Sequence, residues 1–139
     1  MIENLYNQRI KELAADACGA GRLDAPCATA MRDSPVCGDR VRIDVRLADG
    51  RIAALAHDVK GCLLCRAAAS VIGRHASGLS AADAEALRER VAAMLAGGDP
   101  PEGWGDLAVF EPVRAHRSRH GCVLIPFEAL AKAAQAADC

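Results

Sequence analysis

The chain has 139 residues, enough for one domain with a modest core but not for two. Hydrophobic residues make up 52% of it and aromatic residues only 3%, so Ala, Val, Leu and Ile must fill the interior. Lys plus Arg (17) nearly balances Asp plus Glu (18), and the formal charge of −1 provides no global field for nucleic acid or an anionic membrane.

Ile2, Leu5, Tyr6, Ile10, Leu13 and Ala17 recur at helical spacing and predict a helix over residues 2–17, stopped by Cys18-Gly19-Ala20-Gly21. A short extended piece is expected near Cys27 to Arg32. Val41, Ile43, Val45 and Leu47 then alternate with Arg42, Asp44, Arg46 and Ala48, the pattern of a half-buried strand. Asp49-Gly50 is a strong hairpin signal. The returning strand, Arg51 to Lys60, is less regular and suits a bulge.

From Leu63 the period changes. Leu63, Leu64, Ala67, Ala68, Val71 and Ile72 form one helical face, with Gly78 as its stop. Ser80 and Asp83 resemble a capping box ahead of the stripe Ala84, Leu87, Val91 and Leu95, which Gly97-Gly98-Asp99-Pro100-Pro101 ends. A turn-rich loop with Trp104 and a short helix over Leu107 to Arg114 follow. The last helix is expected from about Val123 to Ala137, because Pro126 belongs in a first turn and sets the start at Cys122 or just after it. The sum is an α+β fold: a small antiparallel sheet of about three strands, helices on one face, and residues 1–139 as one domain.

No apolar run approaches the roughly 18 residues that span a bilayer. Met1-Ile2-Glu3-Asn4 lacks the basic-then-apolar pattern of a secretory signal, so seven cysteines point to a reducing cytoplasm. Their odd number also argues against a closed disulfide framework. Cys18 and Cys27, in a small-residue loop, and Cys139, at the end of the sequence, are given no functional role.

Three other cysteines stand where a turn meets a regular element. Cys37 lies in Pro35-Val36-Cys37-Gly38-Asp39, Cys62 follows Gly61 and opens a helix, and Cys122 follows His120-Gly121 and opens another. Thiols at helix N-termini meet unpaired amides and the positive end of the macrodipole, which favours the thiolate. Gly38 lets Cys37 and Asp39 face one point. Three thiolates and a carboxylate can complete a tetrahedral zinc site or hold a nascent iron–sulfur cluster. By spacing alone, isolated core thiols compete evenly with that reading. Cys62-Leu63-Leu64-Cys65 also offers a dithiol redox pair, although the tight hairpin before it is not the βαβ unit of a thioredoxin-like fold. Cys65 and His120 are alternative ligands. His57 is expected in the core or on the sheet face, and His75 and His116 at the surface.

The segment Pro35-Val36-Cys37-Gly38-Asp39-Arg40, the hairpin after it, Gly61-Cys62 with its Ala/Ser-rich helix, and Cys122 entering the last helix resemble the U-type iron–sulfur cluster scaffold proteins, the NifU-like N-terminal domain. Leu5-Tyr6-Asn7-Gln8 is similar to that family's opening helix. The resemblance implies a SufE/NifU-like fold and a site of Cys37, Asp39, Cys62 and Cys122. It further implies that Cys37 accepts sulfur from a cysteine desulfurase, that zinc or an iron–sulfur cluster is held, and that apo iron–sulfur proteins are the recipients. The stretch from Ala96 to Val113 resembles the insertion of the SufU-type branch, whose members resemble zinc-bound sulfurtransferases. Gly121 stands where the classical scaffold branch has a histidine and the SufU-type branch a lysine. Arg117-Ser118-Arg119-His120 replaces the chaperone motif of the classical branch, and Asp16-Ala17-Cys18-Gly19 replaces an Asn-Pro-Arg motif. A purely structural zinc domain is the third reading, disfavoured by an aspartate ligand.

Overall fold

A computed structural model describes residues 7–34 and 38–139 of the chain. The order is α1 (Gln8–Asp16), β1 (Ala28–Asp33), β2 (Arg40–Ala48), β3 (Arg51–Lys60), α2 (Leu63–His75), α3 (Ala81–Leu95) and α4 (His120–Ala136). Two 3-10 segments, Gly105–Ala115 and Arg117–Arg119, lead into α4.

The expected hairpin is present. Asp49 and Gly50 both take positive φ, 54° and 75°, the pairing that joins two strands through the tightest turn. The bulge falls in β3: Arg46 faces Ala54 while Leu47 faces Ile52, so Ala53 is the extra residue. β1 adds antiparallel to β2, giving the three-stranded order β1-β2-β3. Helix α4 packs on β1 and β2 and α2 on β3, with α1 behind α2 and α3 behind α4. Val41, Ile43 and Val45 point from the sheet into that layer and are fully buried. Ala67, Ala68 and Ala69 of α2 are buried as well, so small side chains set the close approach of helix to neighbours.

Several boundaries differ from the sequence reading. Asn7 caps α1 by accepting the Ile10 N–H at 3.0 Å; the expected residues Ile2, Leu5 and Tyr6 lie outside the described part. Helix α2 stops at His75, and Gly78 instead turns the chain onto β3, its N–H donating to the Ile52 carbonyl at 2.9 Å. The Ser80–Asp83 capping box forms in both directions. Helix α4 starts at His120, earlier than Pro126 suggested. Pro126 cannot donate to the Cys122 carbonyl four residues back, and the buried helix tolerates the loss of that bond. The segment expected as a short helix after Trp104 is 3-10, with Leu107, Val109, Phe110 and Val113 buried.

One disulfide is present among the described residues, Cys27–Cys139. An odd cysteine total prevents only complete pairing, and these two are brought together by the fold across 112 residues of sequence. No helix among the described residues is long and apolar enough to cross a membrane.

Candidate metal centre

Antiparallel pairing of Arg40 with Lys60 sets Asp39 and Gly61 side by side at one end of the sheet. Cys62 then takes the N-cap position of α2 in extended conformation, and its side chain makes no capping hydrogen bond. Cys122 reaches the same place from the first turn of α4. One ligand atom from each of Asp39, Cys62 and Cys122 lies within 4.8 Å of the others. A tetrahedral zinc site, with metal–ligand bonds of about 2.0–2.3 Å, spaces its ligand atoms roughly 3.5–3.8 Å apart, a mild contraction of this group.

Asp39 supplies the observation that tests the fit. It is only 4% exposed. One carboxylate oxygen, Oδ1, accepts the Cys62 N–H at 3.2 Å, while Oδ2 is buried with no hydrogen-bond partner among the described residues. The other buried carboxylate of the sheet, Asp44, is fully served: Thr29 Oγ1 (2.6 Å) and Arg42 Nε (3.2 Å) donate to one oxygen and the Leu23 N–H (3.1 Å) to the other. Burial pushes the Asp44 carboxyl up, and the hydrogen bonds from Thr29, Leu23 and Arg42 outweigh it, so its pKa falls below the ordinary value. A buried oxygen without a donor costs free energy unless a cation faces it. Two thiols and a carboxylate with a spare lone pair are the donor set of zinc or of an iron–sulfur cluster.

Gly61 makes room for this arrangement. A Cβ on it would fall 2.7 Å from Asp39 Cγ. Gly38, with φ of +72°, turns the chain just before Asp39, and the Ser34 N–H closes that turn onto the Asp39 carbonyl at 2.8 Å. Basic residues neighbour the site in the chain: Arg40 is ion-paired with Asp33 at 2.7 Å, Arg66 donates from Nε to the Gly61 carbonyl at 3.2 Å, and Lys60 is exposed.

Cys37 lies outside the described residues. Cys65 is fully buried on α2, and His120 turns Nε2 toward the carbonyls of Val113 and Arg114, both at 3.1 Å; neither belongs to the group of three. His57 is buried as expected, with Nε2 2.7 Å from the Cys18 carbonyl. His75 is exposed and bonded to Asp106 at 2.8 Å, and His116 is half-buried. Sequence reasoning missed what Cys18 does: its N–H donates to Ser70 Oγ at 3.2 Å and its carbonyl meets His57, tying the α1 exit loop to α2 and β3. It also missed Gly61 as the residue that admits Asp39; the Gly-Cys pair was visible, but its neighbour across the sheet was not.

Comparison with known proteins accords with this geometry. Residues 5–113 match the NifU-like N terminal domain. A nitrogen-fixing NifU-like protein (N-terminal part) from Brucella abortus is 36% identical, with 97% of this chain and 95% of that one covered and a TM-score of 0.91. A candidate iron–sulfur cluster assembly scaffold protein for the SUF system from Fervidobacterium islandicum AW-1 shares the fold at 20% identity, over 94% and 96% of the two chains, with a TM-score of 0.85. No curated protein matches. The fold thus has a counterpart over nearly the whole chain, which belongs to the NifU-like N-terminal domain family.

Proposed function

We propose that this protein is a scaffold on which an iron–sulfur cluster is assembled. Cys37, Asp39, Cys62 and Cys122 would hold the metal or nascent cluster. Cys37 would accept sulfur from a cysteine desulfurase, and apo iron–sulfur proteins would take the finished cluster. The reading rests on one observation above others: a buried Asp39 carboxylate, one oxygen of which has no donor among the described residues, grouped within 4.8 Å with two thiols at helix starts. An aspartate is a more exchangeable ligand than a fourth cysteine, which suits a cargo that must leave.

A second reading, a zinc-dependent sulfurtransferase of the SufU type, draws on the residues before Cys122. Gly121 is exposed and carries no side chain, and the neighbouring His120 engages backbone carbonyls. The cargo would then lack a histidine beside the last cysteine.

Anaerobic purification, metal analysis, and addition of a cysteine desulfurase, cysteine and ferrous iron separate the two. A visible absorption from an assembled cluster, absent in Cys62→Ala, is the result expected of the scaffold. Retained zinc, no colour, and desulfurase stimulation abolished by Cys37→Ala would establish the transferase instead. Unchanged behaviour after replacing Cys37, Cys62 and Cys122 together would overturn both.

A further inference from the structure

Cys27 and Cys139 stand apart from the metal centre. Cys27 immediately precedes β1, and its N–H donates to the Val45 carbonyl at 2.8 Å. Cys139 lies just beyond Ala136, the last residue of α4. The site cysteine of that helix, Cys122, is in its first turn, about 21 Å away along the axis. Likewise β1 runs from Ala28, next to Cys27, to Asp33, which pairs with Arg40 beside Asp39. The disulfide and the thiol site therefore occupy opposite ends of the same helix and sheet.

The seat of Cys139 is built by the edge of β2. Pairing of β1 with β2 ends at Ala28 and Val45, so the Leu47 backbone groups that face the same side extend past β1. Cys139 Sγ covers them, 3.2 Å from the Leu47 N–H and 3.3 Å from its carbonyl oxygen. The N–H serves a thiolate or a disulfide sulfur, and the carbonyl serves a thiol. The seat thus suits every redox state of Cys139 and keeps it beside Cys27, whose Cα is 5.9 Å away. That separation is bridged without backbone movement. Cys139 is exposed, whereas Cys27 is half-buried.

We propose that Cys27 and Cys139 form a reversible thiol–disulfide site that exchanges with low-molecular-weight disulfides, with Cys139 as the attacking thiol and Cys27 as the resolving one. The Cys139 thiolate attacks a sulfur of oxidised glutathione, whose S–S bond breaks. One glutathione leaves, and a mixed disulfide remains on Cys139. The Cys27 thiolate then attacks the Cys139 sulfur of that bond, and the second glutathione leaves. The protein dithiol loses two electrons, glutathione disulfide gains them, and the two protons pass to the released thiols. Excess reduced glutathione runs the sequence backwards. The closed bridge fastens the far end of α4 to the start of β1 and uses neither Cys62 nor Cys122, so a metal held there under the proposed function would stay in place.

Metal-loaded protein equilibrated in glutathione mixtures, quenched by alkylation and mapped by peptide mass spectrometry, tests this. Cys27 and Cys139 should lose and regain alkylation together, with metal content unchanged. The oxidised form should melt about 10 °C higher, as expected for closing so long a loop. Cys27→Ser should stop at a glutathione adduct on Cys139, and Cys139→Ser should leave Cys27 unmodified. Cysteines that remain alkylatable in the oxidising mixture, a bridge that excess reduced glutathione cannot open in the folded protein, or metal lost in step with oxidation would each overturn the proposal.

Discussion

The Cys62 amide donates to Asp39 Oδ1 at 3.2 Å, and that bond fixes the carboxylate with its other oxygen buried and unserved among the described residues. The N-cap residue of α2 thus orients the carboxylate beside it through its own backbone N–H. Without a cation this arrangement is a cost, and under the proposed function a bound metal would turn it into a bond.

Replacing Asp39 should therefore act in opposite directions on the two forms. Asp39→Ala removes a buried oxygen that lacks a donor among the described residues, so the metal-free protein should gain about 1–3 kcal/mol in urea unfolding, less whatever the lost Cys62 bond contributed. Zinc or cobalt affinity should fall by about a hundredfold or more, because a ligand is gone. Unfolding curves with and without metal check both signs. A loss of stability in the metal-free form would show that Oδ2 is not a liability.

Gly61→Ala isolates the position of the carboxylate from its chemistry. The new Cβ would sit 2.7 Å from Asp39 Cγ and displace it, while the backbone of Gly61 needs no positive φ. Metal affinity should drop by about tenfold with the helical circular dichroism unchanged. Gly61→Ala combined with Asp39→Ala should add little to Asp39→Ala alone, since both changes act through one group.

Much of this was legible because it is local. Val41, Ile43 and Val45 state a strand, Asp49-Gly50 states its turn, and Ser80 with Asp83 states a helix start; each signal spans a few residues and needs no partner elsewhere. The members of the candidate site were visible one by one, since Cys62 and Cys122 at helix starts and Asp39 before a strand are local as well, and the fold groups these three. The Cys27–Cys139 bridge was not, because its members meet only after the sheet and α4 have packed. Nor was the burial of Asp44, whose donors Leu23 and Thr29 come from the loop before β1 and from β1 itself. Pro126 misled about the start of α4 because a rule for isolated helices was applied to one held by tertiary burial.

Gly73 is a position whose importance lies wholly in such packing. A Cβ there would overlap the carbonyl oxygen of Cys18, across the contact between α1 and α2. Gly73→Ala exchanges a poor helix residue for the best one, which alone would stabilise α2 by about 1 kcal/mol. The overlap should win, because backbone must move and the Cys18–His57 bond moves with it, for a net loss of about 1–3 kcal/mol. Thermal unfolding of the metal-free protein measures it.

His57 gives the fold a pH dependence of known sign. Burial lowers its pKa below the ordinary 6.5, a shift only partly offset by its bond to the Cys18 carbonyl and by Asp58. The folded protein therefore keeps the imidazole neutral at pH values where the unfolded chain already takes up a proton. Its contribution is complete above about pH 6.5 and is lost as pH falls from there toward the lowered value. The slope attributable to this group is at most about 1.4 kcal/mol per pH unit. Urea midpoints of the metal-free protein between pH 8 and pH 5 should decline on the acid side, and His57→Gln, which keeps a donor near the Cys18 carbonyl, should flatten the decline while lowering the plateau. An equal decline in the variant would assign the acid sensitivity to other groups.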